Sequence, residues 1–95
     1  MTKSITLRVL TGEGLALEDQ AVSIIAPGEP GYLGILRDHA PLVTTLKPGK
    51  LTWRRPSGES LAAGLGAGLL EVANNRVTIL TDSLADPQSA HTGAT

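Results

Sequence analysis

The chain has 95 residues, a formal net charge of −1 and no cysteine, so one domain is expected, without a disulfide, a thiolate metal site or a thiol nucleophile. Its 15 Leu, 5 Ile and 5 Val are sufficient for an aliphatic folded core. The longest weakly polar stretch, residues 61–70, is about half of the roughly 20 residues that a membrane-spanning helix requires. The near-neutral charge offers little attraction to nucleic acid, and the first residues, without an apolar run, predict a cytoplasmic chain.

Apolar residues recur in this sequence with a period of two, and turn residues interrupt them every ~8–12 residues, which predicts short β-strands. The predicted strands cover residues 5–9, 21–26, 32–36, 43–46, 51–55, 60–63, 69–73 and 77–80. Residues 13–19 are predicted to form at most one helical turn between glycines. Hairpin turns are predicted at residues 56–58 and at Asn74 and Asn75, because asparagine tolerates left-handed backbone conformations.

This pattern is typical of a single all-β unit, a sandwich or a barrel. No window of 11 residues keeps a helical apolar period, and no internal repeat or linker divides the chain. We expect one domain over residues 1–86. Residues 87–95 are small and polar without an apolar period, which predicts a flexible C-terminal tail.

A basic cluster surrounds Trp53, with lysine or arginine at positions 47, 50, 54 and 55. One interpretation is a ligand- or nucleic-acid-binding groove, because bases stack on aromatic rings within basic channels. The favoured interpretation is structural. In an extended segment Lys50 and Arg54 share the solvated face, while Trp53 points to the core.

The stretch GLGAG at residues 64–68 does not fit a dinucleotide fingerprint, because position 69 is Leu and a strand follows. These glycines instead predict bulges, or a place where another backbone approaches closely. Asp38 and His39 form an acid–imidazole pair, but adjacent residues of an extended chain point apart, so a small hydrolase is disfavoured. The other histidine, His91, lies in the predicted tail, so neither a metal site nor a cofactor is predicted.

Five short stretches, taken together and in order, resemble one family. They are residues 31–35 (GYLGI), 39–42 (HAPL), 47–49 (KPG), 68–72 (GLLEV) and 77–82 (VTILTD). The family is the epsilon subunit of F-type ATP synthase, called delta in mitochondria. The resemblance implies a flattened β-sandwich of about ten short, mostly antiparallel strands.

The resemblance also implies a function. The family's subunit is not an enzyme: it clamps the gamma subunit against the c ring, so that proton transport is coupled to ATP synthesis. The chain would then lie at the cytoplasmic face of the bacterial inner membrane, attached only through the complex, and would bind no cofactor.

Particular residues match the contact surfaces of that family. The residues that match the gamma interface of the family are Thr11, His39, Thr44, Gly66, Gly68 and Glu71. The c-ring interface would be the segment Glu29, Pro30, Gly31 and Tyr32. Many relatives carry more acidic residues in this segment, so an aromatic contact through Tyr32 is an alternative to a charged one.

The family's β-sandwich is followed by a helical hairpin that can inhibit ATP hydrolysis and, in some members, bind ATP. The present sequence has no matching segment. It is either a natural short form or a trimmed piece, and we expect the natural short form, which would not bind ATP.

Overall fold

The computed structural model describes residues 4–85 and 87–89. Its secondary structure consists of β-strands. They are β1 (Ile5–Thr11), β2 (Gly14–Ala21), β3 (Ser23–Gly28), β4 (Gly31–Leu36), β5 (Leu42–Leu46), β6 (Gly49–Arg54), β7 (Ser60–Leu65), β8 (Gly68–Ala73), β9 (Arg76–Thr81) and β10 (Gln88–Ser89). The predicted all-β class with about ten mostly antiparallel strands is confirmed.

The strands form one sheet in the order β10-β7-β6-β3-β5-β8-β9-β1-β2, and β4 pairs with the other edge of β3. The connection between β3 and β5 is a single residue pair, Gly28 with Leu46. At this weak connection the sheet folds over into two layers. One layer contains β10, β7, β6, β3 and β4, and the other contains β5, β8, β9, β1 and β2.

The pairing of β1 with β9 is parallel, running from Thr6 with Arg76 to Leu10 with Leu80. The other ladders are antiparallel. This parallel pair joins the first strand to the last long strand. The N-terminal and C-terminal parts of the domain are therefore held together within the second layer.

The core lies between the two layers and is aliphatic except for Trp53, which is 1% exposed. Alternate residues of β1, β6, β7, β8 and β9 are buried in it, as a period of two requires. The buried hydrophobic residues are Ile5, Leu7, Val9, Ala21, Ile24, Ala26, Ile35, Leu46, Leu51, Trp53, Leu61, Ala63, Leu65, Leu70, Val72, Val77 and Ile79. They form one contiguous cluster, so the two layers share a single core.

Both predicted hairpins are confirmed. β6 and β7 pair across residues 55–59, and β8 and β9 pair across Asn74 and Asn75. The two asparagines have φ angles of 53° and 58°, in the left-handed region that asparagine tolerates better than most residues.

The helical turn considered for residues 13–19 is wrong, because residues 14–19 belong to β2, which pairs with β1, and Glu13 lies in the turn before it. The register shifts between Val9 and Leu10, where Ala16 of β2 is an extra residue without a partner in the ladder. The predicted strand at residues 21–26 lies two residues later, as β3, and its Ile25 is exposed. Of the predicted tail, Gln88–Ser89 form β10 and pair with β7; residues 90–95 lie outside the described residues.

Candidate protein-binding surfaces

The solvent side of the second layer carries a row of leucines that crosses four neighbouring strands. Leu69 on β8 pairs with Leu80 on β9, Leu80 pairs with Leu10 on β1, and Leu10 pairs with Leu15 on β2. Paired residues point to the same side of a sheet. Leu80 and Leu15 are each 50% exposed. We call this surface, defined by Leu10, Leu15, Leu69 and Leu80, the leucine face.

The next row of the same face is mixed in character. Val43 pairs with Glu71, Glu71 with Thr78 and Thr78 with Arg8. A shallow hollow of about 370 Å³ lies around this row and is lined by Arg8, Glu71, Ala73, Asn74, Arg76 and Thr78. The leucine face is therefore bordered by charged and polar groups, which is the usual anatomy of a protein-binding patch.

The residues expected to contact gamma are spread along this layer. Glu71 lies on the solvent side, one row from the leucines. Thr11 lies at the turn between β1 and β2, where it lines a hollow with Asp82 and Ser83. His39 lies at the opposite end, in the loop that contacts Asn75. β8 spans roughly 17–20 Å. Thr11 and His39 therefore lie near its opposite ends, with Glu71 between them.

Gly66 and Gly68 lie where the chain itself leaves no space for a side chain. A Cβ at Gly68 would collide with the carbonyl oxygen of Leu80, and one at Gly66 would collide with the carboxylate of Asp82. The sequence predicted either bulges or the close approach of another backbone at these glycines, and at Gly68 the approaching backbone is β9 of the same chain. At Gly68 the absence of a side chain is thus a requirement of the fold and needs no partner, whereas at Gly66 the crowding atoms are the side-chain ends of Asp82 and Ser83.

The loop that carries His39 is fixed by reciprocal hydrogen bonds between two turns. The Asp38 amide donates to Asn75 Oδ1 at 2.6 Å, and Asn75 Nδ2 donates to Asp38 Oδ1 at 3.0 Å. His39 Nδ1 lies 2.7 Å from the carbonyl oxygen of Ala40. The Asp38 carboxylate is thus held by Asn75, and the His39 ring nitrogen is held by the Ala40 carbonyl oxygen, so the acid–imidazole pair is not joined through these groups.

Thr44 lies apart from the other residues expected to contact gamma. It pairs with the buried Leu70, so its row points away from Glu71. It lines a second hollow, of about 320 Å³, between β4 and β5. The lining residues are Pro30, Gly31, Tyr32, Leu33, Leu42 and Thr44. Thr44 is therefore grouped with the segment expected to contact the c ring.

That segment, Glu29–Tyr32, forms the tip of the β3–β4 hairpin. The Thr45 hydroxyl donates to Glu29 Oε1, and the Lys50 amide donates to the Tyr32 hydroxyl at 3.0 Å. The tyrosine side chain nevertheless stays 56% exposed. The tip thus presents a fixed aromatic ring beside an apolar hollow.

The basic cluster around Trp53 is not a groove for bases. The Trp53 ring is buried, and its Nε1 donates to Asp19 Oδ2 at 2.8 Å. Arg55 Nε donates to the same oxygen at 2.8 Å. The structural interpretation of this segment is therefore correct, because the aromatic ring that would stack on a ligand is inside the core.

Within residues 4–85 and 87–89, no group of three or more histidine or acidic residues is arranged to hold a metal ion. The same residues include no helix that is long and apolar enough to cross a membrane. The described surface is defined by apolar sheet faces with polar borders. The fold is an all-β sandwich, and an apolar sheet face with polar borders is the kind of surface that marks protein-binding sites.

Comparison with known proteins identifies the family. Residues 4–87 match the family described as ATP synthase, Delta/Epsilon chain, beta-sandwich domain. Because the match covers most of the chain, the protein belongs to this family. The resemblance drawn from the five short sequence stretches is confirmed.

Curated relatives agree. The chain is 41% identical over 80 residues to the ATP synthase epsilon chain of Moorella thermoacetica, covering 84% of this chain and 60% of the relative. It is 43% identical over 75 residues to the epsilon chain of Xylella fastidiosa, covering 79% and 54%. The chain therefore spans somewhat more than half the length of these relatives.

Solved structures show the same fold. A chain in the Euglena gracilis mitochondrial ATP synthase structure, described as OSCP/F1/c-ring, matches with a TM-score of 0.82 at 22% identity, over 92% of this chain and 55% of that one. A chain in the central stalk/c-ring structure from Tetrahymena thermophila matches with a TM-score of 0.70 at 21% identity, covering 90% and 67%.

The leucine face was missed by the sequence reasoning, although a signal for it exists. An alternating strand with one buried side has an apolar residue at every second position. Leu10, Leu69 and Leu80 each stand directly beside a core residue, and so break this alternation. Such adjacent apolar pairs indicate a strand that is apolar on both sides. These adjacent apolar pairs indicate an exposed apolar surface, but they do not indicate which molecule covers it.

Proposed function

We propose that this protein is a non-catalytic rotor subunit of the F-type ATP synthase central stalk, which links the gamma subunit to the c ring and so couples proton transport to ATP synthesis. Membership of the delta/epsilon family is the observation that carries this proposal. The protein would act at the cytoplasmic face of the bacterial inner membrane, held there by the complex.

The gamma subunit is proposed to cover the leucine face. Burying apolar surface is favourable by about 25 cal/mol for each Å² removed from water. Covering the exposed leucines with gamma would therefore stabilise the complex. The polar border that includes Glu71 would then lie at the rim, where it contributes to specificity more than to affinity.

The c ring is proposed to contact the tip Glu29–Tyr32, at the end of the β3–β4 hairpin. The tip and the leucine face lie on different layers of the sandwich. One domain can therefore bind both partners at once, and this is what a coupling element between gamma and the ring must do.

The test is binding of the purified chain to gamma, measured by calorimetry and gel filtration. Leu80→Glu puts a charge at the centre of the leucine face, so we expect the affinity to fall by at least about tenfold. Leu36→Glu is the matched control. Leu36 is more exposed, at 64%, but it lies on β4 in the other layer, and we expect less than a roughly twofold change there.

Two results would count against this proposal. If the unmodified chain forms no complex with gamma, the rotor function itself fails. If Leu80→Glu binds as tightly as the unmodified chain, gamma covers another surface. Circular dichroism of both variants shows whether they are folded.

A further inference from the structure

The hollow between β4 and β5 is an opening in the sandwich. β4 is the edge strand of the first layer, and β5 is the edge strand of the second. Residues 37–41 connect them at one end, and Gly28, which pairs with both Gly31 and Leu46, connects them at the other. No ladder between β4 and β5 is formed in the described part of the chain. The space left between them is the hollow of about 320 Å³.

The lining of this hollow is uncharged. Leu33 and Leu42 are partly buried and pack against the core, and Pro30 and Tyr32 form the rim. Thr44 contributes the hollow's one side-chain hydroxyl besides that of Tyr32. A site of this composition favours an apolar side chain, because a charged group placed here would lose its hydration without gaining a partner.

The charges around the tip do not favour a cation either. One oxygen of Glu29 already accepts from the Thr45 hydroxyl, and the Glu29 amide donates to the carbonyl oxygen of Thr45 at 2.9 Å. The backbone amides of Lys47 and Lys50 are hydrogen-bonded to residues of the same hairpin, Pro27 and Tyr32. One acidic and two basic residues thus surround the tip.

Tyr32 is held in place to contact a partner. Its hydroxyl accepts from the Lys50 amide, so the ring direction is fixed while more than half of the side chain stays exposed. A fixed aromatic ring contributes contact area without a further loss of side-chain entropy on binding. This is the property expected of an anchor at an interface.

We infer that the tip and the β4–β5 hollow together bind a bulky aliphatic side chain, presented by a loop of the partner, rather than a charged one. The inference rests on the proposed function, in which that partner is the c ring. Thr44 and Leu42 belong to this site, and the ring of Tyr32 covers the inserted side chain.

The experiment measures the affinity of the preformed complex of gamma and this chain for purified c ring. Thr44→Trp fills the hollow, so the affinity for the ring should fall by at least about tenfold while gamma stays bound. Thr52→Trp, on the solvent side of β6 away from the hollow, is the size control and should bind like the unmodified chain. Tyr32→Ala, at an exposed position, is a second variant that should also weaken binding if Thr44→Trp does not fold.

Salt separates the two kinds of contact. An apolar contact should keep its affinity within about threefold between about 0.1 M and 1 M salt, whereas a charge contact weakens strongly over this range. A steep loss of affinity with salt, or at least about tenfold weaker binding of Glu29→Gln, would overturn the inference. So would unchanged ring binding by Thr44→Trp and Tyr32→Ala. Failure of the unmodified complex to bind the ring would instead contradict the proposed function.

Discussion

Asp19 connects the two layers through hydrogen bonds of its side chain. Its side chain is 17% exposed, and its Oδ2 accepts hydrogen bonds from Trp53 Nε1 and Arg55 Nε, both at 2.8 Å. Arg55 also contacts Glu59 at 2.8 Å. Since Asp19 is on β2 and Trp53 on β6, these bonds fix the orientation of the largest core side chain relative to the opposite layer.

The pKa of Asp19 follows from this environment. Burial of the carboxylate acts to raise the pKa, but the hydrogen bonds from Trp53, Arg55 and the Gln20 amide, with the charge of Arg55, outweigh it. The pKa therefore lies below the ordinary 3.8. A carboxylate with a lowered folded-state pKa stabilises the fold at every pH above its unfolded value, and the stabilisation is lost as the pH falls through the lowered value.

We accordingly predict acid destabilisation that depends on Asp19. Asp19→Asn should lower the free energy of unfolding by about 1–3 kcal/mol at pH 7, because a charge-assisted acceptor is lost. The difference between variant and unmodified protein should shrink below about pH 4. Urea unfolding at several pH values measures both effects.

The matched control is Glu59→Gln, which removes the exposed end of the same ion-pair chain. Exposed ion pairs contribute little to stability. Glu59→Gln should therefore lower the free energy of unfolding clearly less than Asp19→Asn does. An Asp19→Asn protein with unchanged stability at pH 7 would show that the bonds to Trp53 and Arg55 contribute nothing to the fold.

At the scale of elements, the turn from β7 into β8 depends on glycine. A Cβ at Gly68 would meet the Leu80 carbonyl oxygen and, at 2.9 Å, Thr81 Cα. Both are backbone atoms of β9, which cannot move without disturbing the β8–β9 ladder. The strand therefore requires glycine before any partner is bound.

Gly68→Ala is predicted to destabilise the isolated chain by about 1–3 kcal/mol through overpacking. Gly64→Ala is the control, because a Cβ there would meet only the Ala85 side chain at the ordinary distance of 3.5 Å. Thermal unfolding without gamma distinguishes the two. Equal melting temperatures for both variants would contradict the close approach of β9.

Strands and turns of this chain follow from local patterns. The β6–β7 hairpin follows from alternation around a proline- and glycine-containing turn, and the β8–β9 turn follows from paired asparagines. β2 was not predicted, because Gly14, Glu18 and Asp19 disfavour a strand locally. Its pairing with β1 overrides that preference, and a tertiary ladder of this kind is not visible in a single segment.

At the scale of the whole molecule, the parallel β1–β9 ladder joins segments from opposite ends of the domain, Thr6 with Arg76. Forming contacts between residues so distant in sequence requires closing a large loop. The entropy cost of this closure comes before the stabilising contacts form, and this slows folding. The local β6–β7 hairpin closes only a short loop.

We therefore predict that the chain folds in about 1 ms to 1 s, as all-β domains with mainly non-local contacts do. Trp53, the single tryptophan, is buried between the layers and reports on their assembly. Stopped-flow fluorescence during refolding measures the rate. Folding in microseconds would show that the two layers assemble without waiting for the β1–β9 pairing.

The sequence by itself determined the all-β class, the hairpins and the family, because these follow from a period of two, from turn residues and from short stretches that each lie within a few positions. The tertiary structure decided which residues share a surface. It separated Thr44 from Glu71, placed the leucines in one row, and showed that Gly68 faces β9. Register between distant strands sets such groupings, and a one-residue change of register would reverse every side chain.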